Sequence, residues 1–139
     1  MKTKRTLAIA CLMCLTCLGG CVPLLVGGAA VGAGSGAYVY VNGELRVEYN
    51  VSFDKVRTAC EMTVAELGGK EVVPEWKIGE GTITTVIRGE KTKLHLEYRG
   101  KEMTLLTIRV GFFGNQASSQ LIKDKVSEYL IKNQETASN

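Results

Sequence analysis

Histidine is almost missing from this chain, with His95 the only one in 139 residues. Cysteine is scarce after residue 21, where Cys60 stands alone. A zinc site would have to be built from His95, Cys60 and carboxylates, short of the nitrogen and sulfur ligands such sites use. An excess of one charge sign is missing too. Lys+Arg total 17 against Asp+Glu 14, and Lys2, Lys4 and Arg5 are the only charges ahead of Cys21. The mildly basic balance therefore belongs to the N-terminus, and bulk charge gives no argument for nucleic-acid binding. No phosphate-cradling loop is present either, because Gly89-Glu90-Lys91-Thr92 lacks the upstream glycine. The twelve glutamates alternate with lysine and arginine, as on a solvated surface. No nucleophile with its base and no cofactor motif emerges, so a non-catalytic protein without a cofactor is expected. With 45% hydrophobic and 22% charged residues, disorder of the whole chain is excluded, and the length suits one domain.

Apolar sequence is plentiful at the start. Lys2, Lys4 and Arg5 form a positive n-region, Leu7 to Leu18 an uncharged apolar stretch, and Gly19 and Gly20 precede Cys21. Leu18-Gly19-Gly20-Cys21 resembles the lipobox of bacterial lipoproteins. That resemblance implies cleavage before Cys21 and fatty acylation of its thiol and new amino group, palmitate being a common chain. Residues 1–20 then read as a signal peptide and the protein as anchored in the cell envelope. Val22 rather than aspartate follows the cysteine. In a diderm host the resemblance implies the outer membrane, facing the periplasm. Cys11, Cys14, Cys17 and Cys21 also show the spacing of a four-iron ferredoxin loop. Val22 stands where that fingerprint has proline, and the cysteines lie among Leu12, Met13, Leu15 and Leu18, so a cysteine-rich apolar signal is the reading taken.

Residues 22–41 carry no charge, and Gly28, Gly32 and Gly36 fall four apart. On a helix they would form one flat stripe of the kind that lets membrane helices approach closely and oligomerise. The competing reading, preferred here, makes residues 21–37 a lipidated cysteine and a flexible apolar tether, since glycine costs a helix in water about 1 kcal/mol per residue.

Regular patterns begin at Tyr38. Tyr38–Val41 and Leu45–Tyr49 flank Asn42-Gly43, a two-residue hairpin signal. Ser52 reads as an N-cap, with Phe53, Val56, Cys60, Val64 and Leu67 on one helical face and Gly68-Gly69 as the stop. Strands are expected over Glu71–Trp76, Thr82–Arg88, Lys93–Arg99 and Met103–Val110. Leu94, Leu96 and Tyr98 alternate with charged neighbours, while Leu106, Ile108 and Val110 point inward. A last helix presents Leu121 or Ile122, Val126, Tyr129 and Leu130. The order predicts an α+β domain over 38–132, with two helices on one face of an antiparallel sheet of about four to five strands. Residues 133–139 have no pattern and read as a disordered tail.

Three local groups remain. His95 lies on the wet side of its strand, where an exposed role is expected. Cys60 lies on an apolar helix face, where a buried hydrophobe is expected over a reactive thiol. Arg109 stands beside Gly111-Phe112-Phe113-Gly114, a surface suited to a partner or an anionic headgroup. The reading preferred here folds Phe112 and Phe113 back to close the core.

The lipobox, the glycine-alanine tract, Tyr40-Val41-Asn42-Gly43-Glu44-Leu45, Ser52-Phe53-Asp54-Lys55-Val56 and Ile108-Arg109-Val110-Gly111 with Phe113-Gly114 together resemble a bacterial lipoprotein family. It is known as a domain of unknown function, number three-five-six-eight. The resemblance implies class and location and adds no reaction. Where that family often has an acidic residue after the second glycine, Asn115 keeps a capping residue. The order is also similar to the helix-grip domains of lipoprotein subunits in outer-membrane assembly machinery, an analogy of fold alone. Intact mass of protein extracted from membranes should correspond to a chain that begins at acylated Cys21. A chain starting near Met1 would contradict the lipidation and restore the four-cysteine loop.

Overall fold

The computed structural model describes residues 37–137. Leu18, Gly19, Gly20, Cys21 and the Gly28, Gly32, Gly36 series lie outside the described residues. Strands β1 (Tyr38–Val41) and β2 (Glu44–Tyr49) are followed by helix α1 (Phe53–Glu66). Four strands come next: β3 (Lys70–Lys77), β4 (Glu80–Ile87), β5 (Glu90–Gly100) and β6 (Met103–Val110). Helix α2 (Gln116–Ala137) ends the description.

Asn42 and Gly43 both take positive φ, 53° and 81°, the conformation that a two-residue hairpin matched to strand twist requires. After α1 the chain meanders from β3 to β6, and β6 closes on β2. All six strands join one antiparallel sheet in the order β1-β2-β6-β5-β4-β3. That is one strand more than the widest sheet expected, because both edge strands, β1 and β3, pair with the central four.

Alternation along the strands decides which face is dry. Leu45, Val47 and Tyr49 of β2, Ile83 and Ile87 of β4, Leu94 and Leu96 of β5, and Leu106, Ile108 and Val110 of β6 are all buried. Val56, Ala59, Cys60 and Val64 of α1 and Ile122, Val126 and Leu130 of α2 cover them. Leu121 is only partly buried, so Ile122 is the core residue of that pair. Both helices lie on the same face, as the sequence implied.

Five gaps of about 4.8 Å make the sheet about 24 Å wide, whereas two helices at about 10 Å spacing span less than that. β3 is the strand left over, and all eight of its residues are exposed. Tyr98, expected to point inward, is 52% exposed for a different reason: it lies near the end of β5, past the last inward leucine. α2 continues to Ala137, past the boundary at 132 that the loss of apolar periodicity suggested.

Polar links tie the layers. The Tyr49 hydroxyl lies 3.1 Å from Ser127 Oγ and 3.4 Å from the Lys123 carbonyl, to which Ser127 Oγ also donates at 2.9 Å. Thr104 Oγ1 donates to the Val51 carbonyl at 2.8 Å, holding the turn between β2 and α1. Ser52 occupies the N-cap position of α1 without a side-chain capping bond, contrary to expectation, and its carbonyl accepts from Val56 N at 3.2 Å.

Burial pushes the Tyr49 hydroxyl well above its ordinary value of 10.0, against a smaller lowering by the bond to Ser127. Burial likewise pushes the Cys60 thiol well above 9.0. Both groups stay protonated in the fold while the unfolded chain ionises. Their stabilising contribution is therefore complete below the unfolded values and is lost as pH climbs from there toward the folded ones. Stability should fall from about pH 9 for Cys60 and from about pH 10 for Tyr49, each by on the order of 1 kcal/mol per pH unit. Urea unfolding of the wild type and Cys60→Ala across this range checks it. The variant should show the shallower slope, and parallel slopes would contradict the assignment.

Candidate functional site

The face of the sheet away from the helices carries the other half of every alternation. Arg46 of β2 pairs with Thr107 of β6, Thr107 with His95 of β5, and His95 with Thr82 of β4, giving one row across four strands. In the next row Arg109 pairs with Lys93, and Lys93 with Thr84. The rows line a groove of about 260 Å³ walled by Glu44, Arg46, Lys93, His95, Glu97, Arg99, Leu105, Thr107 and Arg109. Four permanent cations thus meet two carboxylates.

Those carboxylates are shared. Glu44 lies 3.1 Å from Arg46 and 3.6 Å from Arg109. Glu97 lies 2.8 Å from Arg99 and 3.4 Å from His95 Nε2. Lys93 is exposed and makes no ion pair among the described residues. The groove therefore presents surplus positive charge with a hydroxyl floor, an arrangement that receives anionic or hydrogen-bonding groups.

His95 Nδ1 lies 2.9 Å from Thr82 Oγ1, so Thr82, His95 and Glu97 form a line of hydroxyl, imidazole and carboxylate. The connectivity is that of a nucleophile relay. Its backbone surroundings are not, because β4 and β5 each pair on both sides and their amides bond within the sheet. No amide of these two strands beside Thr82 is left to aim at an oxyanion.

At the end of the groove stands the aromatic loop. Phe112 is 84% and Phe113 87% exposed, with ring centres 5.0 Å apart at 87°. This overturns the expectation that they fold back over the core. Val110 is the last inward residue of β6, and the space beneath the loop is taken by backbone. Gly114 (φ +87°) packs against Gly43 so closely that a side chain on Gly114 would meet the main chain of Gly43, and one on Gly43 would meet the Phe113 carbonyl. The loop is fixed at several points. Gly111 N donates to the Lys91 carbonyl and Asn115 N to that of Val110, each at 2.8 Å. Arg109 donates to the Phe112 carbonyl at 2.8 Å. Asn115 Oδ1 accepts from Ser118 N at 3.1 Å and caps α2. A second hollow, of about 310 Å³, joins Phe112 and Gly111 to Lys91, Lys93 and Arg109.

Arg109, Phe112 and Phe113 are thus brought together at one end of the open face, with His95 farther along it. Cys60 is not part of this surface. It is fully buried between α1 and the opposite side of the sheet. On that helix side a separate hollow of about 370 Å³ lies between α1 and the edge strand β3, lined by Val64, Ala65, Val72, Pro74 and Ile83 with Glu61 at its margin. Sequence reasoning singled out Arg109 and missed Arg46, Lys93 and Glu44. Their alternation was visible, but the pairing of β2 with β6 that sets Arg46 beside Thr107 is a long-range contact with no local signal.

A search of curated proteins finds no match to the chain. The family profile described as "Protein of unknown function (DUF3568)" matches residues 4–129. The matched span takes in all six strands, α1, the aromatic loop and most of α2. The chain therefore belongs to the DUF3568 family.

Proposed function

We propose that this protein is a lipid-anchored lipoprotein of the bacterial cell envelope, held to the membrane through acylated Cys21. Its α+β domain is a non-catalytic binding or scaffolding module that works through the helix-free face of its sheet. The observation that carries this reading is the groove, where Arg46, Lys93, Arg99 and Arg109 outnumber Glu44 and Glu97 and an exposed aromatic pair closes one end. A sheet face that no described residue covers, with charges spaced by its strands, is suited to recognition without a moving part. The lipobox-like residues Leu18, Gly19, Gly20 and Cys21 and the uncharged stretch after them supply the anchoring half. In a diderm host the module stands on the outer membrane and faces the periplasm.

A second reading makes the protein membrane-active, with Gly28, Gly32 and Gly36 packing inserted helices into an oligomer. Its support is their spacing. Among the described residues no helix is long and apolar enough to cross a membrane, so that reading rests on residues before Ala37.

A photo-crosslinker at Thr107, on the floor of the groove, should yield a discrete adduct in native membranes. One at Asp124, exposed on α2, should yield none. Arg46→Glu with Lys93→Glu should abolish the Thr107 adduct and leave Tm within a few degrees. Equal labelling from both positions would contradict the assignment of the face.

A further inference from the structure

We infer that the Phe112-Phe113 loop and the basic residues behind it form a second, reversible contact with the membrane, a headgroup-level docking tip for an anionic bilayer. The inference rests on the lipid-anchored reading above and names the surface that this end of the open face meets.

Exposure comes first. Two adjacent phenylalanines, 84% and 87% exposed, are costly to leave in water. A floppy loop would hide them, and this one is held. Both flanking amides are bonded, the Phe112 carbonyl is engaged by Arg109, and the Gly43–Gly114 backbone contact blocks retreat toward the core. Aromatic side chains on a rigid support settle at the level of lipid headgroups, with rings among the upper acyl carbons.

Charge comes second. Lys91 and Lys93 are exposed, and with Arg109 they line the hollow that Phe112 closes. Arg88 stands exposed in the neighbouring β4–β5 turn. The carboxylates nearby are engaged: Glu44 with Arg46 and Arg109, and Glu90 at the start of α2, where Asn115 Nδ2 and Ser118 Oγ approach it at 3.4 and 3.3 Å. Lysines beside exposed aromatics match an anionic lipid surface, where attraction falls within a Debye length.

Reach comes third. Sixteen uncharged residues separate Cys21 from Tyr38, and fully extended they would span at most about 58 Å at 3.6 Å each. β1 then runs four residues directly to the Asn42-Gly43 turn against the loop. An anchor on Cys21 therefore holds the tip close to the surface it fits, at high effective concentration. A protein partner would be served by the same aromatics, but Lys91 and Lys93, which make no ion pair among the described residues, favour headgroup phosphates.

The test uses the full chain, seated through its own anchor in vesicles of phosphatidylcholine with phosphatidylglycerol, a fraction of the lipid brominated in its acyl chains. Trp76 is the sole tryptophan of the sequence and lies at the far end of β3, so the wild type reports the remote surface. Phe113→Trp in a Trp76→Phe background reports the tip, with Phe112→Trp as the alternative should the first misfold. The tip indole should lose most of its emission to bromine while Trp76 in the wild type loses little. Lys91→Glu with Lys93→Glu, or vesicles of phosphatidylcholine alone, should restore it. A tip indole as bright as Trp76 in protein that floats with the vesicles overturns the docking and leaves the anchor standing. Quenching of Cys21→Ser protein at raised lipid concentration supports the docking without the anchor. Absence of both flotation and quenching overturns the two together.

Discussion

The structure depends on a mismatch of width. Six strands make a sheet that two helices on one side cannot fully cover, and among the described residues no helix stands on the other side. The period-two alternation of β2, β4, β5 and β6 then sorts the chain into a dry face and a wet one. Leu45, Val47, Leu94, Leu96, Leu106 and Ile108 are completely buried. Their neighbours one residue away, Arg46, Lys93, His95, Thr107 and Arg109, are held at fixed spacing by the same backbone. The core and the candidate site are two sides of one pattern, so the groove's charged side chains spring from backbone positions fixed by the leucines beneath them.

The same width explains β3. It pairs with β4 but lies beyond the helices, and its apolar Val72, Val73 and Trp76 stay exposed. Phe53 meets Trp76 edge-on at 6.4 Å, and the Arg57 guanidinium lies 5.4 Å from the Trp76 ring centre, which partly shelters that end. Pro74, Glu71, Glu75 and Lys77 interrupt the strand with groups that discourage pairing with another sheet edge. Exposure at the Phe112-Phe113 loop is of another kind. There the backbone is bonded into place with the rings outward, which is the geometry of a contact surface rather than of an unfinished core.

Much of the fold was legible in the residues. Asn42-Gly43 located the first hairpin, the Val56-Cys60-Val64 spacing oriented α1, and the last strand was placed at its observed limits, Met103–Val110. Such signals are local. The joining of β6 to β2 is not, and it assembles the groove from residues some sixty positions apart, such as Arg46 and Thr107. The phenylalanines were misjudged because aromatic residues are usually buried, and nothing local revealed that Gly43 would fill the space beneath them. The signal present was Gly114 directly after them, which together with Gly43 permits a backbone contact that a side chain would block.

The central claim is that the helix-free face is the working face of the anchored protein. Lysine footprinting tests it most directly, comparing protein in native membranes with the same protein after detergent extraction. Lys91 and Lys93 on the open face should be protected in the membrane and modified after extraction. Lys55, exposed on α1, should react equally in both. Equal modification of Lys91, Lys93 and Lys55 in the two states, or protection confined to Lys55, would contradict the account.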